Sequence, residues 1–448
     1  MTMPSAAATE QRLVINRLGA RGDGIADTQA GPVYVPYALP GETVRAGLPA
    51  PDPLDGRAAR SSHGRVEARA ALIAVETPSA ERREPECALF TRCGGCATQH
   101  MTPETYRAWK RDNVVATLAR AQVDASVAPL VDAHGAGRRR VTFHARRAEG
   151  IDAVGFMAAR SHTLIPIENC PVLDPALGRA PQVALDIARL LLPKGKPLDI
   201  QVTATAGGLD IDVRGHGPAS ESIRRTLTQA AERLDLARLS VHGDRIVERR
   251  APSITMGKGL VTPPAGGFLQ ATAQGEETLA RLVLEACAAA PRRIRRAADL
   301  FAGCGPFSLR LAEIAEVHAV ESAASALAAL DRAFRAAQGL RRITTETRDL
   351  FRRPLLPIEL ATYDAVVFDP PRAGAEAQAR ELAKSTVPLV IAVSCDAGTF
   401  ARDAKILIDG GYSPVSITPV DQFRHSAHVE TVGVFTRPDA RRSKRPRA

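Results

Sequence analysis

No stretch of this sequence approaches the roughly 18 apolar residues a membrane-spanning helix needs, so no span is expected. Met1–Gln11 is small and polar and lacks the basic-then-apolar order of a secretory signal. The expectation is a cytoplasmic protein. Lysine is scarce, and the formal net charge of +10 is carried almost wholly by arginine. That balance suits a polyanionic partner, nucleic acid foremost. Arginine alongside abundant alanine also follows from biased base composition, so charge alone leaves the partner open. Disulfides are not expected in the cytoplasm, which leaves the seven cysteines as ligands, nucleophiles or buried thiols.

What is present divides the chain. A length of 448 residues exceeds one ordinary core and implies two to four domains. Residues 1–10 read as disordered. Residues 11–76 read as a small β-barrel of about five strands, an oligonucleotide-binding size. Leu13-Val14-Ile15, Val33-Tyr34-Val35 and Thr43-Val44 are β-rich runs punctuated by Gly19, Gly22, Gly24, Gly31 and Pro40-Gly41, and Arg65–Ile73 closes the set. Residues 77–255 read as a central α+β domain, with helices over Thr105–Gln122 and Glu221–Leu234. The basic run Arg138–Arg147 alternates like a strand and is read either as a phosphate-contacting edge or as a solvated face. Residues 256–437 form an α/β domain, and 438–448 a basic tail that can add phosphate contacts. The fold class is therefore multidomain α/β.

The central domain opens on Cys87, Cys93 and Cys96 in C-x5-C-x2-C spacing, with Gly94-Gly95 letting the backbone wrap closely. No histidine stands at finger spacing, and His100 falls just past the cluster. Zinc with a fourth ligand and an iron–sulfur cluster are both open. Cys170, followed by Pro171, is an available fourth thiolate.

The C-terminal domain carries the chemistry. Ala297–Leu300 is a strand that runs into Phe301-Ala302-Gly303-Cys304-Gly305-Pro306, a G-x-G turn, and then a helix. The next strand, Val317–Val320, ends at Glu321, an acid placed to accept ribose hydroxyls. The third glycine of a dinucleotide fingerprint is absent, as is the Lys-Ser/Thr of a phosphate loop. The turn therefore suits adenosine without a pyrophosphate, which points to S-adenosylmethionine. Further on, Tyr363–Phe368 stops at Asp369-Pro370-Pro371-Arg372. The helix Glu376–Lys384 follows, and the strand Val387–Val393 ends at Ser394-Cys395. Ligands in open α/β sheets sit outside the C-terminal ends of strands, where both Asp369 and Cys395 fall. Glu430 lies on the apolar strand His428–Phe435, which is placed beside them. Cys287 reads as core, and Cys304 as packing beneath the cofactor.

These motifs resemble the RNA uracil-5-methyltransferases of the ribosomal-RNA type. The resemblance rests on Cys93-Gly-Gly-Cys96, Leu300–Pro306, Asp369-Pro-Pro-Arg372, Val393-Ser-Cys395 and His428-Val-Glu430. It covers nearly the whole chain and implies a TRAM-like barrel, a cluster-bearing central domain and a class I methyltransferase domain. Amino-directed enzymes usually carry an aromatic where Arg372 stands. The resemblance implies Cys87, Cys93, Cys96 and Cys170 as ligands of a [4Fe–4S] cluster. It implies an S-adenosylmethionine pocket of Gln270, Phe301, Gly303, Gly305, Pro306, Glu321, Asp349 and Asp369. Cys395 corresponds to its nucleophile and Glu430 to its base. Where the family usually has Gln-Val-Asn this chain has Gln270-Ala271-Thr272, and Pro306 replaces a common Asn. The expected partner is 23S ribosomal RNA, acted on by a monomer. Transfer RNA is the alternative substrate, and a catalytically silent RNA-binding ribosome-assembly factor is the alternative class.

Overall fold

The computed structural model describes residues 9–48, 68–148, 151–192 and 196–437. The basic tail 438–448, most of the N-terminal segment 1–10 and residues 65–67 lie outside them. The described chain forms two compact units.

In the first unit, Leu13, Val33, Val35, Val44 and Ala46 are buried with more exposed neighbours between them, the alternation of half-buried strands. Thr43–Leu48 is the centre of an antiparallel three-stranded sheet, flanked by Thr9–Val14 and Ala71–Thr77. Arg17–Leu18, Gly24–Thr28, Gly31–Val35 and Ala68–Arg69 form a second sheet of four. Both sheets contribute to one apolar core. Where about five strands were expected, the described residues form seven short ones in two sheets. The reason is a bend at Asn16, whose backbone N–H donates to the Ile25 carbonyl at 2.8 Å. Its side-chain oxygen accepts from the Asp27 N–H at 2.8 Å, so the chain changes sheets there.

The cysteine segment falls in this unit. Two contacts with the strands, one from each side of the cysteines, tie it in. The Trp109 indole, on the helix Pro103–Arg120, donates to the Gly19 carbonyl at 2.9 Å and packs with Leu39 and Met101. Glu42, fully buried, accepts from the Arg82 guanidinium at 2.8 Å and from the Leu39 N–H at 2.8 Å.

Among the described residues the second unit holds two large sheets and the two-stranded pair of Ile254–Met256 with Gly259–Val261. The first has the order Leu164–Pro166, Ile151–Met157, Arg140–Ala148, Leu198–Thr205, Gly208–Arg214, Arg238–Val241 and Asp244–Glu248. The helices Ala180–Leu191 and Glu221–Arg233 lay Val183, Ile187, Leu191, Leu227 and Ala230 against it at helical spacing.

The other sheet comprises β1 (Arg296–Leu300), β2 (Glu316–Glu321), β3 (Ile343–Thr347), β4 (Ala365–Phe368), β5 (Leu389–Ser394), β6 (Ser413–Asp421) and β7 (Glu430–Thr436). Their order is 3-2-1-4-5-7-6, with Val131–Asp132 added beside β6. The first five are parallel and β7 is antiparallel to both neighbours. The central strands β4 and β5 are near-continuous apolar runs because helices cover both faces. The order reverses between β1 and β4, which opens a crevice at their C-terminal ends. Since β7 runs antiparallel to β5, its first residue, Glu430, starts at the edge where β5 ends. That register puts Glu430 and Cys395 on one side of the sheet.

Among the described residues no helix is long and apolar enough to cross a membrane.

Candidate active site

The loop after β1 is built for close approach. Phe301 adopts φ 60°, a left-handed conformation seldom taken by a bulky residue, and its ring meets Phe351 at 5.4 Å between centroids. Gly305, at φ 87°, has no room for a side chain, because a Cβ would lie 2.4 Å from a Leu330 methyl. Gly303, at φ 53°, differs: a Cβ there would meet nothing within 4 Å. Its backbone therefore faces open space, the cradle a nucleoside cofactor needs. The Gly303 N–H donates to Glu321 Oε2 at 3.1 Å, joining the end of β2 to the cradle. Beneath it Asp299, wholly buried on β1, accepts from the Ser308 hydroxyl at 2.5 Å. Burial pushes the Asp299 carboxyl up to about 7, so it sits there largely neutral at lower pH. The sequence reading passed over Asp299, although an acid inside the apolar run of β1 is itself a signal.

Asp349 and Pro306 reach the same edge in supporting roles. Asp349 Oδ1 accepts from the Phe351 N–H at 3.0 Å and so shapes the loop carrying that ring. The Pro306 carbonyl accepts from the Arg310 guanidinium at 2.8 Å. Thr272, at the position where an Asn was the alternative, is a helix cap. Its hydroxyl accepts from the Gly275 N–H at 2.8 Å and donates to the Ala133 carbonyl at 2.7 Å.

Arg310 also donates to Glu276 Oε1 at 3.1 Å, and Arg139 donates to Glu276 Oε2 at 2.6 Å. Arg139 further donates to the Gln270 carbonyl at 3.0 Å, and Arg140 to the Gly267 carbonyl at 2.6 Å. These two arginines therefore face inward and hold the segment that carries Gln270. They are neither a phosphate edge nor a solvated face. A charged run gives no hint of this, because the partner Glu276 lies 137 residues away. Replacing Glu276 by Ala leaves the buried Arg139 guanidinium without its carboxylate, while Arg310 keeps Glu277 at 2.7 Å, and is expected to destabilise the second unit by about 3–5 kcal/mol. Replacing Glu285, in an exposed pair with Arg281, is expected to change less than about 0.5 kcal/mol. Denaturant unfolding of the two variants checks the contrast.

The reacting edge gathers Asp369 after β4, Cys395 after β5 and Glu430 at the start of β7. Gln270 Nε2 donates to Asp369 Oδ2 at 2.7 Å. Gln422, following β6, donates through Nε2 to Gln270 Oε1 at 2.7 Å and to Glu430 Oε1 at 3.0 Å. One hydrogen-bonded chain thus runs from one carboxyl to the other through two amides. Burial pushes both carboxyls up, and the charge on Asp369 raises Glu430 further. Cys395 directly precedes Asp396, the N-cap of the helix Ala397–Asp409, a position that ordinarily favours the thiolate. Burial outweighs it, aided by the Glu430 and Asp369 charges, and the thiol is pushed up to about 11. Arg372, whose guanidinium meets His428 Nε2 at 3.2 Å, pulls the other way. The resting thiol is therefore protonated, with two carboxyl groups beside it.

The remaining cysteines separate. Cys287 and Cys304 are buried, as expected, and burial raises both thiols. Cys87, Cys93 and Cys96 lie half-buried in the first unit, where the Cys93 N–H donates to the Leu89 carbonyl and the Gly94 N–H to the Met157 carbonyl, each at 2.9 Å. Gly94 lies so close to Ala159 that a Cβ would sit 2.9 Å from its nitrogen. Cys170 belongs to the second unit. None of the seven is in a disulfide. Among the described residues no group of three or more His, Cys, Asp or Glu side chains is drawn together closely enough to hold a metal ion. The donor chemistry of these thiols suits iron–sulfur or zinc.

The strand order, the glycine cradle and the acid at the end of β2 define a class I methyltransferase. Residues 264–438 match the family described as tRNA (Uracil-5-)-methyltransferase. An RNA methyltransferase of Brucella suis is 47% identical over 95% of this chain and 98% of its own. The 23S rRNA (uracil(1939)-C(5))-methyltransferase RlmD of Chromohalobacter salexigens is 35% identical over 96% of this chain and 90% of its own. Among solved structures, the fold is similar to the tRNA (uracil-54, C5)-methyltransferase of Pyrococcus abyssi, with a TM-score of 0.69 and 20% identity over 95% and 99% of the two chains. The chain belongs to the RNA uracil-5-methyltransferase family.

Proposed function

We propose that this enzyme methylates C5 of a uridine in 23S ribosomal RNA, with S-adenosylmethionine as methyl donor. The observation that carries the chemistry is the meeting of Cys395, Asp369 and Glu430 at one sheet edge beside the Gly303 cradle. The likeness to the 23S enzyme RlmD along almost the whole chain supports the substrate. The family description favours transfer RNA as the second reading. A silent assembly factor has less support, because such a protein has no need of a nucleophile flanked by two acids.

Gln270, Phe301, Gly303, Gly305, Glu321 and Asp369 line the donor site in this reading, with Pro306 and Asp349 shaping its loops. The donor supplies a methyl group on a positively charged sulfur. Uracil C5 is too weak a nucleophile to accept it directly. Cys395, as thiolate, adds to C6, and the ring electrons move to O4 as an enolate whose C5 can attack. After methyl transfer Glu430 takes the C5 proton. The C–H electrons form the C5–C6 double bond, the C6–S bond breaks, and Cys395 leaves as thiolate. Atoms and charge balance without any oxidant. The target base must leave its stack to reach such a site.

The first measurement is mass spectrometry of nucleosides from ribosomal and transfer RNA, with and without the gene. Loss of one 5-methyluridine from 23S RNA supports the proposal. Loss from the transfer RNA fraction keeps the chemistry and moves the substrate. No change in either removes the uracil-C5 assignment.

We propose the four thiols Cys87, Cys93, Cys96 and Cys170 as ligands of a [4Fe–4S] cluster because the resemblance to the family implies that set, and the proline after Cys170 is in keeping with it. Protein purified without oxygen is expected to hold about four iron and four sulfide per chain and to absorb broadly in the visible. Bound zinc with no visible absorption would replace the cluster by a zinc site.

A further inference from the structure

The chain of amides between the two carboxyls is directional, and Gln422 sets the direction. Gln422 Oε1 accepts from the Thr272 N–H at 3.3 Å, at the positive end of the helix Ala273–Ala288. Gly275 in that helix permits the approach, since a Cβ there would lie 2.5 Å from Gln422 Oε1. With its oxygen held by a backbone donor, the amide nitrogen has to face Glu430 Oε1 and Gln270 Oε1, both acceptors. A flipped amide would set oxygen against a carboxylate and NH2 against N–H. Gln422 is fully buried, so no solvent substitutes for it. Glu430 is nearly so. Its Oε1 takes the Gln422 donor, while its Oε2, also buried, has no hydrogen-bond partner among the described residues.

We propose that Gln422 is the positioning residue for proton removal, fixing Glu430 by one oxygen so that the other is presented to the C5 proton. This rests on the reading of Glu430 as the base. The groups that bear on Glu430 are Asp369 and Arg372 after β4, Cys395 after β5, and the neutral amide of Gln422 after β6. Gln422 is the one that stabilises its charged form by a direct hydrogen bond. Without that donor, the carboxylate forms only at higher pH.

The test separates adduct formation from release. In Gln422→Met, similar in length but without a donor, the methylated covalent RNA adduct is expected to form within about threefold of the wild-type rate. Its release is expected to slow about 10–100-fold at neutral pH, because a hydrogen bond to a charged group is lost. The ascending limb of the release rate is expected to move to higher pH, so the defect narrows as pH rises. Equal slowing of both steps with an unshifted profile, or no change in either, overturns the proposal. If Met disrupts folding, Gln422→Asn keeps an amide one methylene short. It is expected to slow release less while shifting the same limb, and an unshifted limb again overturns the proposal. Wild-type protein that makes no 5-methyluridine in this assay, or Glu430→Gln that traps no adduct, overturns the base assignment and the role of Gln422 together. A normal wild type and a trapping Glu430→Gln beside an unaltered Gln422→Met overturn the role of Gln422 alone.

Discussion

Cys395→Ala is expected to abolish methylation, lowering turnover on the order of 10⁴-fold or more, while RNA affinity stays within about twofold. The size follows from the chemistry. Without addition at C6 there is no enolate, and C5 has no electrons to offer the donor methyl group. No neighbouring group replaces the thiol, since Glu430 and Asp369 are oxygen acids held toward their neutral forms by burial. Folding is expected to be little affected, because the side chain is small and only half-buried. Radiolabelled methyl transfer and filter binding of the same RNA check both halves. Loss of binding together with activity would make Cys395 structural, and retained activity would remove it from the reaction. A second expectation concerns the free protein. With its thiol pushed up to about 11, Cys395 should alkylate slowly near neutral pH despite its place before a helix, and RNA should change that rate.

The parts of this site that were legible in the sequence are those fixed by local pattern. A β-branched run ended by Pro370-Pro371 marks where β4 stops, so Asp369 could be placed at its edge without a structure. The same holds for Cys395 after Leu389–Ser394 and for Glu321 at the end of β2. What escaped was set by partners far away in the chain. Gln422 sits in a stretch between strands that carries no motif, and its partners Thr272 and Gln270 are 150 and 152 residues distant. Arg139 and Arg140 looked like surface charge until Glu276 and the Gly267–Gln270 carbonyls were seen to satisfy them. The N-terminal module illustrates a different limit. Its strands were visible as apolar alternation, but Asn16 divides them between two sheets by hydrogen bonds that no composition reports. Patterns of period two and 3.6 reveal which face is buried and leave open what is buried against it.

Glu430→Gln is expected to stop the reaction one step later, with methyl transfer completed and the product still bound through Cys395. The C5 proton then has no acceptor, since an amide cannot take it. Turnover should fall by about 10²–10⁴-fold, the usual share of a positioned base. The methylated RNA–protein adduct should accumulate as a slow band on a denaturing gel. Loss of turnover without that band would place Glu430 before methyl transfer, and unaltered turnover would assign the base elsewhere. The same substitution carries a stability signature of opposite sign. Burial raises the Glu430 carboxyl above its ordinary value of 4.5, so the native state holds a proton that the unfolded chain has released. Below that ordinary value both states are protonated and the group contributes no penalty. As pH rises past it, the unfolded state is progressively favoured, until the native carboxyl also ionises. Gln removes that penalty while still accepting from Gln422 through its amide oxygen. The unfolding midpoint of Glu430→Gln should therefore match wild type near pH 4 and exceed it increasingly toward pH 8. A variant that is more stable where the enzyme works, yet unable to release its product, identifies Glu430 as a charge buried for its chemistry and maintained against folding.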